Sequence, residues 1–426
     1  MKANPARLLR PRPLLRSAIE LINAANGFRP LGRKGYHAVP AFVFGWPTSE
    51  LPTFYLSASL LDAVRRGRRG DFAGRQGRAA LALTAAAWAV LAVIHRRGLT
   101  TPGPILDRAL REQLGSDYHD ALAVLPLTPS RTGRPSALST ASARRHYVHN
   151  HGEINGTVCY GPHGRANLAD IWRQRDLPPD GKAPVMVQVP GGAWVLGWRR
   201  PQAYPLLSHL ASRGWICVSL NYRVSPLHTW PDHIVDVKRA LAWIRQNIAD
   251  YGGDPEFVAI TGGSAGGHLA ALTALTPNDP TLQPGFESAD TSVVAAVPIY
   301  GRYDWFSTHG QGRREFVALL EKFVVKKKLT QHRDVFLAAS PTHRVHAEAP
   351  PFFVIHGQDD SLIPVHEARE FVDKLRAVSN SPVAYADLPG AQHAFDIFGS
   401  PRGHQTAEAV ARFLSWVYAT RRSPQL

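Results

Sequence analysis

The sequence predicts an α/β fold in which a mostly parallel sheet is covered by helices on both faces. Short apolar runs at residues 184–189, 216–220, 257–260, 293–299 and 383–388 have the length and composition of strands. Helical segments lie between them, for example at 232–248 and 268–275. Strands that alternate with helices pair in parallel, because each helix carries the chain back to the same end of the sheet.

The turn after residues 257–260 carries the pattern Gly262-x-Ser264-x-Gly266. A strand-to-helix turn this sharp strains the backbone and leaves no room for side chains beside the serine, so glycines there are a steric requirement. Such a turn holds the serine hydroxyl clear of the sheet, near the positive end of the next helix. The pattern predicts a nucleophile elbow. Because any glycine-rich turn can hold a serine, the assignment depends on whether an acid, a base and an oxyanion loop are also present.

A serine nucleophile needs a base to take its proton and a third group to orient that base. Asp360 follows a predicted buried strand at the spacing H-G-x-x-D-x-x-[VI]-P and is the predicted acid. Asp359 is the alternative acid, and is otherwise a turn residue that bonds nearby backbone amides. His393, in the loop between the last strand and the last helix, is the predicted base. His268 lies one helical turn past the elbow and is predicted to be structural.

The reaction also needs N–H groups directed at the developing oxyanion. One is the backbone N–H of Ala265, the residue after the nucleophile. Others are expected from the loop Pro190-Gly191-Gly192-Ala193-Trp194, which follows the predicted strand 184–189. Glycines there let an oxygen approach the backbone closely, whereas the alternative is a plain turn.

Taken together, these motifs resemble the hormone-sensitive-lipase-like branch of the α/β-hydrolases, and within it the actinobacterial membrane-associated carboxylesterases. The resemblance covers residues 149–426. Besides the elbow, the acid loop and the histidine loop, it rests on GGAW at 191–194, NYRVSP at 221–226, the stretch 230–236 and YGGDP at 251–255. Several independent motifs in one order are more specific than any single motif.

The resemblance implies that Ser264, Asp360 and His393 form a catalytic triad. It also implies that Gly191 and Gly192, together with Ala265, donate to the oxyanion. One departure stands at Pro190, where the family usually has a histidine that braces the loop. Proline lacks an N–H and fixes φ near −65°, so it stiffens the loop or tilts its amides.

The resemblance implies a cofactor-independent serine hydrolase that cleaves carboxylic esters through an acyl-serine, with lipophilic or short-to-medium acyl esters as substrates. One alternative is an amide or formamide hydrolase of the same fold. Another is a membrane-tethered binding protein on a hydrolase scaffold that has lost activity. The sequence leaves the oligomeric state open.

Three units are predicted along the chain: a basic helical region at 1–100, a helix and linker at 101–148, and the catalytic domain at 149–426. The linker is the Pro-, Ser-, Thr- and Arg-rich stretch 126–145. Within the catalytic domain, residues 303–350 form an insertion with a helix at 313–328 that ends in three lysines. This insertion is expected to act as a lid or to be a simple surface excursion. Aromatic residues near the site are expected either to line a substrate pocket or to pack in the core; they are Trp194, Trp198, Trp305 and Phe306.

The first 100 residues hold sixteen Lys and Arg but only four Asp and Glu, which gives +12 of the chain's net +16. Residues 79–94 contain one polar side chain, that of Thr84. As a helix they would span about 24 Å, which is shorter than the hydrocarbon core of a bilayer at about 30 Å. Residues 14–25 place apolar side chains along one helical face. This region is therefore predicted to associate with an anionic membrane, with a cytoplasmic location as the alternative. A helical subdomain docked on the catalytic domain is the other interpretation.

Composition and motifs also argue against several other classes of protein. Cys159 and Cys217 are the only cysteines, too few for a disulfide framework. No metal-ligand spacing, P-loop or secretory signal is recognised, so neither a metal nor a cofactor is expected. Nucleic-acid binding is not expected, because the basic region lacks interleaved stacking aromatics.

Overall fold

The computed structural model describes residues 13–33, 35–118, 140–148, 157–306 and 313–422. Within these ranges, eight strands form one sheet. They are β1 (Thr157–Cys159), β2 (Leu168–Trp172), β3 (Ala183–Val189), β4 (Ile216–Leu220), β5 (Gly253–Gly263), β6 (Ala296–Ile299), β7 (Phe352–Gly357) and β8 (Val383–Leu388). Their order is β1-β2-β4-β3-β5-β6-β7-β8. β1 and β2 pair antiparallel with each other and β2 with β4, whereas every pair from β4 to β8 is parallel. The predicted α/β architecture is confirmed.

Helices flank the sheet and form a separate layer at the N-terminus. The N-terminal helices are α1 (Pro13–Phe28), α2 (Ala38–Glu50), α3 (Pro52–Arg68), α4 (Gly74–Thr100), α5 (Pro102–Leu114) and α6 (Thr140–Tyr147). Those of the catalytic region are α7 (Tyr204–Ala211), α8 (Asp232–Asn247), α9 (Ala265–Ala274), α10 (Arg313–Leu319), α11 (Arg333–Ala338), α12 (Val365–Val378) and α13 (Pro401–Arg422).

The core lies on both faces of the sheet, because successive side chains of a strand point to opposite faces. On β7, Phe352 and Val354 join one apolar cluster while Phe353 and Ile355 join the other. All four side chains are fully buried. A sheet covered on both sides leaves the loops at its carboxyl edge as the place for a functional site.

Two predicted elements differ from the structure. The strand expected at 293–299 begins only at Ala296. The helix expected at 313–328 is regular only to Leu319 and continues as a π-helical turn through Val324. Lys326 has φ of +55°, so the three lysines lie beyond the helix instead of completing its last turn.

The apolar segment 79–94 lies in α4, which packs along α1. Its buried residues recur at helical spacing and form a stripe; they are Gly77, Ala80, Thr84, Ala87, Leu91, Ile94 and Gly98. Thr84, its single polar side chain, faces α1, where its hydroxyl lies 2.9 Å from that of Ser17. Within the described residues, the helical stretch Gly74–Leu114 is long and apolar enough to cross a membrane by length and composition, which is weak evidence.

The N-terminal helices dock on the catalytic region through α2. Trp46 Nε1 donates to the Ala394 carbonyl at 2.7 Å, and its ring stacks on Phe398 at 4.6 Å. The carboxylate of Glu50 at the end of α2 is buried and pairs with the Arg402 guanidinium of α13. Through these contacts the described part of α2 packs against the catalytic region.

The last two N-terminal helices, α5 and α6, also contribute to the core. Leu106 and Leu110 of α5 and Tyr147 of α6 are buried in the cluster on the α13 side of the sheet. The predicted linker at 126–145 lies outside the described residues up to 139. From Thr140 onward the chain is helical, because Ala143 and Tyr147 find apolar partners there.

Candidate active site

Ser264 stands at a sharp turn between β5 and α9. Its backbone has φ of +59° and ψ of −121°, a strained conformation for a residue with a side chain. The flanking glycines are sterically required. A Cβ at Gly262 would lie 2.4 Å from the Gly266 carbonyl oxygen, and one at Gly266 would lie 2.0 Å from that of Val189. The turn therefore has the geometry predicted from the glycine spacing and raises Ser264 at the carboxyl end of β5.

Asp360 and His393 meet in the loops that follow β7 and β8. The Asp360 Oδ2 atom lies 2.7 Å from His393 Nδ1, and both side chains are buried. The second carboxylate oxygen, Oδ1, accepts the backbone N–H groups of Leu362 and Ile363, each at 2.8 Å. These bonds fix the carboxylate, so the imidazole it holds keeps Nε2 for another partner.

Electrostatics favour an ionised Asp360. Burial raises the pKa of this carboxyl, but the nearby His393 and His356 imidazoles lower it more, so the net pKa lies well below the usual range. His356 Nε2 lies 3.4 Å from the same oxygen that contacts His393. A carboxylate that stays charged orients an imidazole and stabilises its protonated form.

Asp359, the alternative acid, is directed away from His393. Its carboxylate pairs with the Arg33 guanidinium, and Arg97 Nη1 lies 4.0 Å from its Oδ2. Both arginines come from the N-terminal helical region. Asp359 therefore contributes to docking between the two parts of the chain.

Two aromatic rings enclose the imidazole. The Tyr300 ring centroid lies 4.7 Å from that of His393, and the Phe42 ring of α2 meets His393 edge-on at 5.7 Å. A Cβ placed at Gly263 would lie 2.7 Å from Tyr300 Cε2. Tyr300 thus contacts both the residue before Ser264 and the imidazole, so one aromatic ring packs against the elbow and the His393 loop. Sequence reasoning missed Phe42, since nothing in the chain indicates that α2 folds over the site.

The 190–194 loop lies against the elbow. A Cβ placed at Gly191 would lie 3.1 Å from Ser264 Cβ. However, the Gly191 N–H donates to Gln202 Oε1 at 2.7 Å, so it is engaged by a side chain and not directed at a substrate. The N–H groups of Gly192, Ala193 and Ala265 have no acceptor among the residues that the structure describes. The sequence offered no signal that separates Gly191 from Ala193 in this role.

The aromatic residues near the site fall into two groups. Trp194 and Trp305 are buried and pack edge to face at 4.8 Å, in the apolar core. Trp198 is 68% exposed, and Phe306 is half-buried with the Arg333 guanidinium over its ring. Among the described residues, no group of three or more His, Cys, Asp and Glu side chains is placed to hold a metal ion.

His268 is structural, as its position on the helix predicts. It is fully buried one turn into α9, with Nε2 2.7 Å from the Ala339 carbonyl oxygen. Its Nδ1 accepts the indole N–H of Trp194 at 3.2 Å. Burial lowers the pKa of His268 to about 3, so it is neutral near pH 7.

The sheet order and the strained serine turn are those of an α/β-hydrolase, and comparisons with known proteins agree. The BD-FAE family model matches residues 173–375. The probable carboxylic ester hydrolase LipM of Mycobacterium tuberculosis is 48% identical over 96% of this chain and 94% of its own. Esterase LipC of the same organism is 50% identical over 77% of this chain and 78% of its own. A butyrate-bound structure of esterase 2 from Thermogutta terrifontis superposes with a TM-score of 0.52 at 25% identity, covering 63% of this chain and 94% of that one.

The chain therefore belongs to the hormone-sensitive-lipase-like carboxylic ester hydrolases that include these mycobacterial esterases. Its activity is the hydrolysis of carboxylic esters by the serine mechanism general to this fold.

Proposed function

We propose that Ser264 is the nucleophile, His393 the general base and Asp360 the group that orients and stabilises the imidazole. The bond between Asp360 Oδ2 and His393 Nδ1 beside the strained elbow carries this proposal. The His393 Nε2 atom takes the proton of the serine hydroxyl as its oxygen bonds to the ester carbonyl carbon. The tetrahedral intermediate collapses, and the alcohol leaves with that proton. Water, deprotonated by His393, then releases the acid and restores the serine.

For the oxyanion, the N–H groups of Gly192, Ala193 and Ala265 are the proposed donors. Gly192 and Ala265 were expected from the sequence, and Ala193 takes the place of Gly191 because the Gly191 N–H is bonded to Gln202. A donor of this kind contributes about 10²–10³ in rate.

Replacement of the nucleophile tests the assignment. Ser264→Ala should lower kcat on p-nitrophenyl butyrate by about 10⁶-fold, the scale seen when a serine-triad nucleophile is removed. Ser361→Ala, at a buried serine in the acid loop whose hydroxyl donates to the Ala38 carbonyl, is the control and should keep most activity. Formamide substrates assayed beside the esters test the amide alternative, and the esters should be turned over faster.

A second part of the proposal is that the N-terminal helices carry the enzyme to anionic membranes and lipophilic esters. A cavity of about 860 Å³ opens between α1 and α2 and is bordered by α3. It is lined by Ile19 and Ile22 of α1, by Leu31 between the two helices, and by Val43 and Phe44 of α2, and all five are at least half exposed. Exposed apolar side chains around an open groove are typical of a surface that meets lipid.

The polar groups of this groove are largely bonded to one another. Asn23 Nδ2 donates to Thr48 Oγ1 at 2.8 Å, and Asn26 Nδ2 donates to the Ala41 carbonyl at 2.9 Å. Arg16 pairs with Asp62 at 2.6 Å. What the groove offers a ligand is therefore mainly aliphatic surface, which suits an acyl chain.

The charge of this region supports an anionic partner. Exposed arginines cluster at the α3–α4 turn; they are Arg65, Arg68, Arg69, Arg75 and Arg78. Arg66 beside them reaches α1, where it donates to the Pro13 carbonyl at 3.1 Å. The basic turn is thus adjacent to the start of α1, whose apolar face lines the groove, and each such cation contributes about 1 kcal/mol near an anionic surface.

Vesicle flotation tests the membrane proposal. Phosphatidylserine-containing vesicles should carry the protein and phosphatidylcholine vesicles should carry less. The double variant Ile22→Ser/Val43→Ser should lose flotation and hydrolysis of vesicle-borne long-chain esters, but keep p-nitrophenyl butyrate turnover. Val378→Ser, at an exposed valine ending α12, is the control. Equal flotation of the double variant and the parent would reject this surface.

A further inference from the structure

The side chain of Gln202 clamps the backbone of Gly191 at two points. The Gly191 N–H donates to Oε1 at 2.7 Å, and Nε2 donates to the Gly191 carbonyl at 3.1 Å. Because a backbone N–H only donates and a carbonyl only accepts, the two contacts also fix which way the amide is turned. Gln202 lies eleven positions further along the chain, in the segment that leads into α7.

The other end of the 190–194 loop is tied to the elbow helix. The indole N–H of Trp194 donates to His268 Nδ1 at 3.2 Å. The opposite nitrogen, Nε2, lies 2.7 Å from the Ala339 carbonyl, which accepts only. The proton therefore sits on Nε2, and Nδ1 keeps the lone pair that Trp194 needs. The Tyr222 hydroxyl adds a third tie by donating to the Pro190 carbonyl at 3.0 Å.

The loop needs these ties because its backbone is strained. Gly192, Ala193 and Trp194 have φ of +134°, +52° and +60°. Left-handed conformations at residues with side chains persist only where the surroundings enforce them.

We propose that Gln202 and His268 are positioning residues that hold the 190–194 loop at both ends, so that the N–H groups of Gly192 and Ala193 stay directed at the substrate oxyanion. This inference rests on the proposed triad and deepens it. Neither residue touches the substrate in this account.

Gln202→Met tests the clamp, because methionine keeps the length of the side chain and removes both hydrogen bonds. We expect kcat for p-nitrophenyl butyrate, normalised to sites titrated by a fluorophosphonate, to fall by about 10²-fold, the scale of a small misplacement of catalytic groups. KM should change by less than about twofold, since loss of an interaction made only in the transition state lowers kcat and kcat/KM equally.

The chain contains a matched control at Gln405. Its Oε1 accepts the Gly103 N–H at 2.8 Å, and its Nε2 donates to the Gly98 carbonyl at 3.0 Å, so it contacts neither Ser264 nor the 190–194 loop through these bonds. Gln405→Met therefore removes a similar two-point brace between helices. It should lower thermal stability about as much as Gln202→Met while leaving kcat unchanged.

Trp194→Phe tests the second tie, because it removes the indole N–H and keeps an aromatic ring against His268. We expect a fall in kcat at constant KM, and a larger fall when it is combined with Gln202→Met. If Gln202→Met retains the parent's kcat per titrated site while Ser264→Ala is inactive, the clamp is refuted and the triad stands. If Ser264→Ala is as active as the parent, the triad itself is wrong.

Discussion

At the scale of single residues, adjacent aspartates have different partners. Asp360 is turned toward His393 and held by two backbone N–H groups. Asp359 is turned toward Arg33 and Arg97 from the N-terminal helices. The motif spacing favoured Asp360 as the acid, and in the folded chain Asp360 is the aspartate that contacts His393.

Paired asparagine substitutions separate the two aspartates. Asp360→Asn should lower kcat by about 10⁴-fold, because an amide no longer stabilises the charged imidazole or selects its tautomer. Asp359→Asn should leave kcat near that of the parent, since it only weakens the contact with Arg33. The check is kcat per titrated site for both variants. Similar losses of kcat in the two variants would show that Asp360 is not the acid of the triad.

Other residue-scale features lay beyond sequence reasoning. The glycines at 262 and 266 were predictable because their steric role is local. The bond between Gln202 and Gly191 was not, because it depends on how the segment before α7 folds back on the loop. Gly191 was therefore expected as an oxyanion donor although its N–H is already bonded.

At the scale of elements, α2 packs beside the candidate site, a contact that the motifs of the catalytic region did not predict. The insertion at 303–350 was expected to be a lid or a surface excursion, and its described part packs Phe316 against Trp194 at 6.1 Å. In addition, α2 places Phe42 against His393. The contacts between α2 and the catalytic region join residues far apart in sequence, since Glu50 and Arg402 are separated by 352 positions. No local sequence pattern predicts such contacts.

The Glu50–Arg402 pair should be a principal determinant of this docking. Burial raises the pKa of Glu50, opposed by Arg402 and by hydrogen bonds from Ser400 and Ser49. Glu50→Ala leaves the Arg402 guanidinium buried without its anion, which should lower the free energy of unfolding by about 3–5 kcal/mol. Urea denaturation measures this.

The control for that prediction is Glu348→Ala, which removes a carboxylate that is 83% exposed beside His346. It should leave the urea midpoint unchanged, because exposed ion pairs contribute little. Equal midpoints for Glu50→Ala and the parent would show that α2 is held by its apolar contacts alone.

At the scale of the whole molecule, the architecture followed from the order of apolar runs and helices. Strands 216–220 and 383–388 have the predicted bounds. The arrangement of the N-terminal region could not be predicted in this way, because a long apolar helix has the same sequence pattern whether it contacts lipid or another helix. Here α4 buries one stripe against α1, while the groove beside α1 stays exposed.

Buried histidines make the folded molecule sensitive to acid. Burial lowers the pKa of His268 to about 3 and that of His233 to about 4. An unfolded chain takes up these protons near pH 6.5 whereas the folded chain does not. Their contribution to stability is thus complete above pH 6.5 and is lost as pH falls toward 4.

Urea denaturation between pH 7 and pH 4.5 checks this dependence. The free energy of unfolding should decrease by up to about 1.4 kcal/mol per pH unit for each histidine that stays neutral. His233→Gln should flatten the dependence, whereas His163→Gln, at an exposed site, should not. A free energy that is constant across this range would contradict the sign argued here.

Mapping the residue that a fluorophosphonate modifies identifies the nucleophile. Intact mass should show one adduct per chain, and peptide analysis should place it on Ser264. Ser264→Ala should carry no adduct, and Asp360→Asn should label far more slowly than the parent. An adduct on another serine, or equal labelling of the parent and Ser264→Ala, would contradict the account.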